Sequence, residues 1–483
     1  MKWVCLGALG LIGLGMGVVH MAQAQTASLF TAPALTTVRV QTQANVPDLQ
    51  CALAKPRVDK TVDPDPPQVP DEDEVKRQLA AWKHPEPVAS VVGAERPDGG
   101  KWWPSRAGEP LRVGIWGDSH LAAGFFTAEL VRLSELPVEQ VKSRFIPANM
   151  GRAGVRLPLR KTCVDGLWRY EPGHAVAAGA TMPGPGLVNL FSQQAGASLS
   201  WDVRNAAGLP DKRQIRLLYQ QTVAPISLAV RVDDGPERLL DLQASPGPAV
   251  LELVGDAPLS VVQLRLVDGA MRLHGLEWPV PAGTRLQLDV FGYPGATVAG
   301  WKSVASDDLR AWWGTAPYDV VVLAFGTNEG NVQPFDVNAY AQLLKASVTA
   351  WRAQFPTAQC VLIAPGDRGV LVRRSSKTVS PKTGRKVGAA TAAKPQQAAV
   401  DVLRFTRVHE EIGRLQRQVA HTQGCRFWSA MDAMNGAGGA YRWVKQSPAL
   451  MARDLTHFTV PGYQRLAQLF AQDMGWSAAI FTP

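Results

Sequence analysis

The sequence predicts an α/β fold, a parallel sheet covered by helices on both faces, interrupted by an all-β sandwich. Three observations predict it. Apolar runs at 111–116, 319–325 and 361–364 alternate with longer segments of helical period, and strands apolar on both faces belong to parallel sheets buried on both sides. From about 160 to 288 the pattern changes to short alternating runs separated by Pro, Gly and Asp, the spacing of a β-sandwich. The chain has 483 residues, enough for two or three domains.

The elements run in order along the chain. Met1-Lys2-Trp3, an apolar run from Val4 to Val19 and Ala22-Gln23-Ala24 read as a signal peptide over 1–24, cleaved after Ala24. An uncleaved anchor is the other reading of this run, which is short for a spanning helix. No second run is long enough, so the protein is expected to be exported and not integral to a membrane. Residues 25–104 read as a Pro-rich linker and one short helix, with Asp71-Glu72-Asp73-Glu74 leading into Val75–Trp82. Residues 105–160 open the α/β domain with a strand at Leu111–Trp116 and a helix from Ala122 to Leu136. Residues 161–288 form the inserted β-sandwich, with runs such as Gln214–Leu218, Ile226–Arg231 and Ala249–Leu253. Residues 289–483 complete the α/β domain. They hold helical segments at Val337–Phe355 and Gln397–Thr422, and a strand ending at Trp428. A last helix is capped by Thr459, carries Pro461 in its first turn and buries Tyr463, Leu466, Leu469 and Phe470.

Composition narrows the function classes. Hydrophobic residues make up 46% and the formal net charge is +9, as in a soluble globular protein. Much of the excess charge falls in a basic loop, 367–396, which holds Arg368, Arg373, Arg374, Lys377, Lys382, Arg385, Lys386 and Lys394. It has no interleaved aromatics, which argues against a nucleic-acid partner. Its two readings are a solvated loop and an attraction to an anionic polymer such as a cell wall. Four cysteines follow the leader: Cys51, Cys163, Cys360 and Cys425. No C-x-x-C or metal spacing occurs, so no zinc, other metal or cofactor is expected. Export permits disulfides. Cys360 and Cys425 each open a strand-like run, and if those strands are parallel neighbours the two cysteines meet, leaving Cys51 for Cys163.

Four short blocks carry the chemistry. Gly117-Asp118-Ser119-His120 follows the first strand, at the carboxyl edge where sites of parallel sheets form. A nucleophilic serine needs a base, and the base an orienting acid. Asp454 and His457, three residues apart in one turn near the C-terminus, supply both. A developing oxyanion needs fixed donors. The Asn328 carboxamide in Gly326-Thr327-Asn328-Glu329 suits that role, as does the backbone N–H of Gly295 in Gly292–Thr297. Each block alone is also an ordinary turn or cap. Their order along the chain is the stronger signal. His120 has two readings, a contact to substrate or triad and a satisfied polar residue of the turn. Asp118 reads as a cap and Glu329 as support for the Asn328 loop. Trp168, Trp201 and Trp278 are either sugar platforms or core.

The four blocks in this order resemble the SGNH, or GDSL, hydrolase superfamily, over roughly 108–160 and 290–475. The resemblance implies a flavodoxin-like α/β/α sandwich and a metal-free triad of Ser119, His457 and Asp454. The oxyanion hole would be the Ser119 N–H, the Gly295 N–H and the Asn328 side chain. His120 after the serine, G-T-N-E in the third block, the interrupting β-module and Phe427-Trp428 with Asn435–Gly439 further resemble exported peptidoglycan O-acetylesterases of Gram-negative bacteria. These carry a carbohydrate-binding-like β-module. This implies a periplasmic serine esterase that removes acetyl from the muramic acid C6 oxygen, with O-acetylated glycan as partner. The long N-terminal region and the basic loop depart from that pattern. O-acetyl transfer, another polysaccharide, and a non-enzymatic wall-glycan binding protein stand as alternatives.

Overall fold

The computed structural model describes residues 32–51, 67–82, 102–104, 108–177, 183–302, 304, 309–314, 318–373 and 400–481. The expected leader, much of the linker and the basic loop beyond Arg373 lie outside them.

Six strands form a parallel sheet: β1 (Leu111–Gly117), β2 (Val141–Lys142), β3 (Leu286–Gly292), β4 (Val320–Ala324), β5 (Gln359–Ala364) and β6 (Arg426–Ser429). Their order is β6-β5-β4-β1-β3-β2. Without the two-residue edge strand β2 this is the doubly wound order of flavodoxin-like sheets. The helices that accompany it include α1 (Ser119–Ala122), α2 (Phe125–Leu133), α3 (Val337–Gln354), α4 (Arg404–Thr422) and α5 (Val460–Met474). Because successive strand residues point to opposite faces, the continuous apolar runs feed two cores. Val113, Ile115, Val320, Val322 and Val361 pack with Phe126 and Leu130 of α2 and Leu466 and Phe470 of α5. Trp116, Val321, Leu323 and Leu362 pack with Leu344 and Trp351 of α3 and Ile412 and Leu415 of α4. Complete burial of one such side chain contributes about 2–3 kcal/mol. Among the described residues, no helix is long and apolar enough to cross a membrane.

Two further sheets carry the alternating runs. The larger has seven strands, among them Lys212–Gln221, Gly247–Leu259 and Met271–Glu277. The smaller has five antiparallel strands centred on Ile226–Val232 and Val261–Asp268. Trp201, Leu217, Leu228, Leu251, Leu264 and Leu273 from both sheets share one core. The larger sheet is buried on its other face as well, where Leu218 and Val250 join Trp116 and Trp301. The described residues from Ala32 onward thus cohere as one unit.

Several elements differ from expectation. The stretch read as linker contains a strand, Ala34–Val40, which pairs in parallel with Gly247–Leu259 at the sheet edge; its Thr36-Thr37-Val38 run carries β-branched residues suited to that edge. Phe145–Pro147 already pairs with Met271–Glu277, and Leu286 opens β3. The helix expected from Ala122 to Leu136 is two helices, α1 and α2, because Gly124 takes a left-handed φ of 72° between them. The helix expected from Gln397 begins at Arg404. The short N-terminal helix runs Glu72–Ala81, with Asp71 as its cap. Leu469 is only half-buried, unlike Tyr463, Leu466 and Phe470. Trp168, Trp201 and Trp278 are 6%, 0% and 5% exposed, so they are core and not platforms. Cys360–Cys425 and Cys51–Cys163 are both bonded. The first joins the starts of neighbouring parallel strands; the second ties the N-terminal tract to Lys161–Val164.

Candidate active site

Register brings the functional loops to one edge. Gly117 pairs with Gly292 on one side and Ala324 on the other, and Ala324 pairs with Ile363. The loops after β1, β3, β4 and β5 therefore leave side by side, at the carboxyl edge where the strand order reverses. Two glycines permit the closeness. A Cβ on Gly292 would lie 2.3 Å from the Ala122 N, and one on Gly117 2.6 Å from the Ala324 O.

Ser119 is the first residue of α1, and Asp118 caps that helix by accepting from the His120 N–H at 2.9 Å. Ser119 Oγ lies 3.1 Å from His457 Nε2. His457 Nδ1 lies 2.8 Å from Asp454 Oδ2. The other Asp454 oxygen accepts from the backbone N–H of Thr456 and His457, each at 2.9 Å. The turn closes through Leu455, which has φ 54° and a fully buried side chain. A left-handed leucine is strained, and its burial anchors the turn that faces Asp454 toward His457.

Electrostatics separates the two histidines of the site. Burial, reinforced by the neighbouring His457, pushes His120 down to about 3, so it is neutral near pH 7. Its Nδ1 lies 3.1 Å from the Tyr463 hydroxyl of α5. The Asp454 hydrogen bond raises His457 above its ordinary value, against the effect of burial. Burial opposes ionisation of Asp454, but the hydrogen bonds from His457 and Thr456 outweigh it and hold the carboxyl well below the usual range. His457 is thus the ring with both a nucleophile and an orienting carboxylate. Asp118 is buried, and burial raises it to about 6 against hydrogen bonds from the His120 N–H and the Thr327 hydroxyl. A cavity of about 70 Å³ is lined by Asp118, His120, Phe126, Thr327, Phe458 and Tyr463 among others.

The remaining loops are tied to one another. Asn328 Nδ2 donates to the Ala296 O at 2.9 Å, which binds the third block to the second. One Nδ2 proton suffices for that bond. Gly295 has φ 87° in the turn closed by Ala296 N–H and Tyr293 O. The backbone N–H groups of Ser119 and Gly295 have no acceptor among the described residues. Glu329 is buried, and its Oε1 accepts from the Val298 N–H at 2.9 Å. Burial raises it to about 7. It braces the Gly295 loop and makes no hydrogen bond to Ser119.

Sequence reasoning missed Thr327 and Tyr463 as site residues, and it read Arg368 only as part of a charged loop. Asp367 is buried and caps the helix Gly439–Trp443 through the Ala440 N–H. Arg368 Nη1 donates to Asn331 Oδ1 at 2.5 Å, and the next residue, Gly369, donates to the Leu455 O at 2.9 Å. The signal available was position: Arg368 follows β5 as Asn328 follows β4.

Residues 274–465 match the model of the GDSL-like lipase/acylhydrolase family. Over that span, about 40% of the chain, the sequence is similar to GDSL-like lipases and acylhydrolases. The matched span holds Gly295, Asn328, Asp454 and His457, while Ser119 lies upstream of it. Similar solved structures include one described as a peptidoglycan O-acetylesterase in action. It is 22% identical, covers 76% of this chain and 90% of that chain, and has a TM-score of 0.49. A GDSL-like lipase of Parabacteroides merdae is 17% identical over 39% and 73%, with TM-score 0.27. A family two carbohydrate esterase of Clostridium thermocellum is 10% identical over 64% and 99%, with TM-score 0.25. No curated protein matches the chain.

Proposed function

We propose that this protein is a GDSL-type acylhydrolase, an exported carbohydrate O-acetylesterase that acts on peptidoglycan, at the muramic acid C6 O-acetyl group. The carrying observation is the hydrogen-bonded series Asp454–His457–Ser119 at the sheet edge, with distances of 2.8 and 3.1 Å. The acetyl and peptidoglycan assignments draw on the G-D-S-H and G-T-N-E blocks and the interrupting β-module. Export is supported by the two disulfides, which form and persist in oxidising compartments.

The reaction has two steps. Ser119 Oγ attacks the acetyl carbonyl as His457 Nε2 takes its proton. The carbonyl oxygen gains the electron pair and is held by the N–H groups of Ser119 and Gly295 and by the Asn328 carboxamide. The intermediate collapses, the C–O bond to the sugar breaks, and His457 returns the proton to the leaving hydroxyl. Water, deprotonated by His457, then attacks acetyl-Ser119 and releases acetate. Asp454 stays ionised and holds the imidazole tautomer.

The test is acetate release from O-acetylated peptidoglycan and from acetylated xylan, with wild type and Ser119→Ala. The expected result is release from peptidoglycan that Ser119→Ala abolishes. Strong activity confined to xylan overturns the substrate, and full activity of Ser119→Ala overturns the mechanism.

A further inference from the structure

Arginines without a carboxylate partner among the described residues flank the candidate nucleophile. The sheet order places the loops along the catalytic edge as β5, β4, β1, β3, with neighbouring strands about 4.8 Å apart. Arg368 follows β5. On the far side of β3, Asn149 donates to the Gly292 O, and the segment after it carries Arg152 and Arg156. Ser119, after β1, lies between the two groups.

Each guanidinium is oriented by an aromatic ring. Arg368 stacks over Phe405 at 3.9 Å, Arg152 sits 5.5 Å from the Tyr293 ring, and Arg156 sits 4.1 Å from Phe125. The Arg156 backbone N–H also donates to the Ala122 O, in the helix that begins with Ser119. Arg152 and Arg156 are exposed and Arg368 is half-buried. None of the three forms an ion pair with a described carboxylate. Arg368 is the most constrained. Its acceptor among the described residues is the neutral Asn331 amide, which leaves its other N–H donors unengaged. Its charge is felt by His457, His120 and Asp454. A stacked, half-buried guanidinium with a neutral partner is preorganised for a planar anion.

We propose that Arg368 reads a carboxylate on the glycan substrate, and that Arg152 and Arg156 hold the same anionic strand on the opposite side of Ser119. The inference rests on the O-acetylesterase reading and deepens it. The substrate class is an O-acetylated glycan bearing carboxylates near the ester, such as peptidoglycan with its stem peptides, in preference to a neutral acetylated glycan.

The experiment compares KM and kcat for O-acetylated muropeptide and for a neutral O-acetylated xylo-oligosaccharide in wild type, Arg368→Gln, Arg368→Lys and Arg152→Gln/Arg156→Gln. Labelling of Ser119 by a fluorophosphonate confirms that each variant is folded. A hydrogen-bonded charge is worth about ten-fold or more in affinity. Arg368→Gln is expected to raise the KM ratio of anionic to neutral substrate about ten-fold, with Arg368→Lys only partly restoring the ratio. The double variant shifts the ratio less, and more weakly at high salt, because its cations are exposed. KM values that rise in parallel for both substrates overturn the proposal, as does an unchanged ratio. Binding of both unhydrolysed glycans to Ser119→Ala is measured in parallel. A wild type inactive on both esters overturns the esterase reading, whereas absence of preference for the anionic glycan in that binding overturns the role of the arginines.

Discussion

Asp202 in the β-module and Asp118 at the edge of the parallel sheet are almost equally buried, 1% and 2% exposed, yet their surroundings differ in kind. Asp202 lies against charge: Arg204 bonds both of its oxygens, at 2.9 and 2.5 Å, and Arg160 lies 3.4 Å away. Asp118 receives only neutral donors, the His120 N–H and the Thr327 hydroxyl, and burial raises it to about 6. Histidines divide in the same way. His274 in the module is fully buried against Asn189 at 2.8 Å, whereas His457 is half-exposed between a serine and a carboxylate. The module neutralises its buried Asp202 with two arginines. The sheet edge leaves donors unengaged and a titratable base within reach of a nucleophile. Where buried charge is neutralised a fold gains definition; where donors stay free, chemistry has something to use.

Substitutions on the two sides of this comparison should separate activity from stability. Ser119→Ala is expected to lower kcat for acetyl ester hydrolysis by a factor on the order of 10⁶, measured against wild type on one ester. Asp454→Asn keeps the geometry but favours the wrong tautomer of His457, and should cost about 10⁴ in kcat. Asn328→Ala removes one oxyanion donor and should cost about 10² to 10³. If it also lowers Tm sharply, its bond to the Ala296 O is the larger part of its role. In the module the order reverses. Arg204→Met leaves Asp202 buried beside a more distant cation and should destabilise by about 3 kcal/mol in urea unfolding while kcat is unchanged. A large loss of kcat without loss of stability would remove the distinction between the regions.

The last prediction concerns pH. Burial, with the Arg272 charge, lowers His274 to about 3, against about 6.5 in the unfolded chain. The unfolded state therefore binds the extra proton. The contribution of neutral His274 is complete above about pH 6.5 and is lost as pH falls toward 3. His274→Gln should flatten the acid limb of stability against pH by up to about 1.4 kcal/mol per unit. An acid limb of unchanged slope would show that His274 does not titrate on unfolding.

The sequence by itself determined a good deal. Continuous apolar runs predicted strands buried on both faces, since each such residue must enter one of two cores. Alternating runs predicted the antiparallel strands between Lys161 and Glu277. Spacing also made Asp454 and His457 partners, because three residues in one turn suffice. Short-range chemistry of this kind is written locally. Tertiary structure alone decided the rest. The strand Ala34–Val40 has β-branched residues but is short and follows no strand neighbour in sequence, and its partner, Gly247–Leu259, lies more than two hundred residues away. Burial of Trp168, Trp201 and Trp278 depends on a second sheet meeting the first. Arg368 looked like any cation of a charged loop until β5 was set two strands from β1, which brings it to the same edge as Ser119. Strand order is a long-range property, fixed by which apolar faces close on one another, and it turns four ordinary turns into one site.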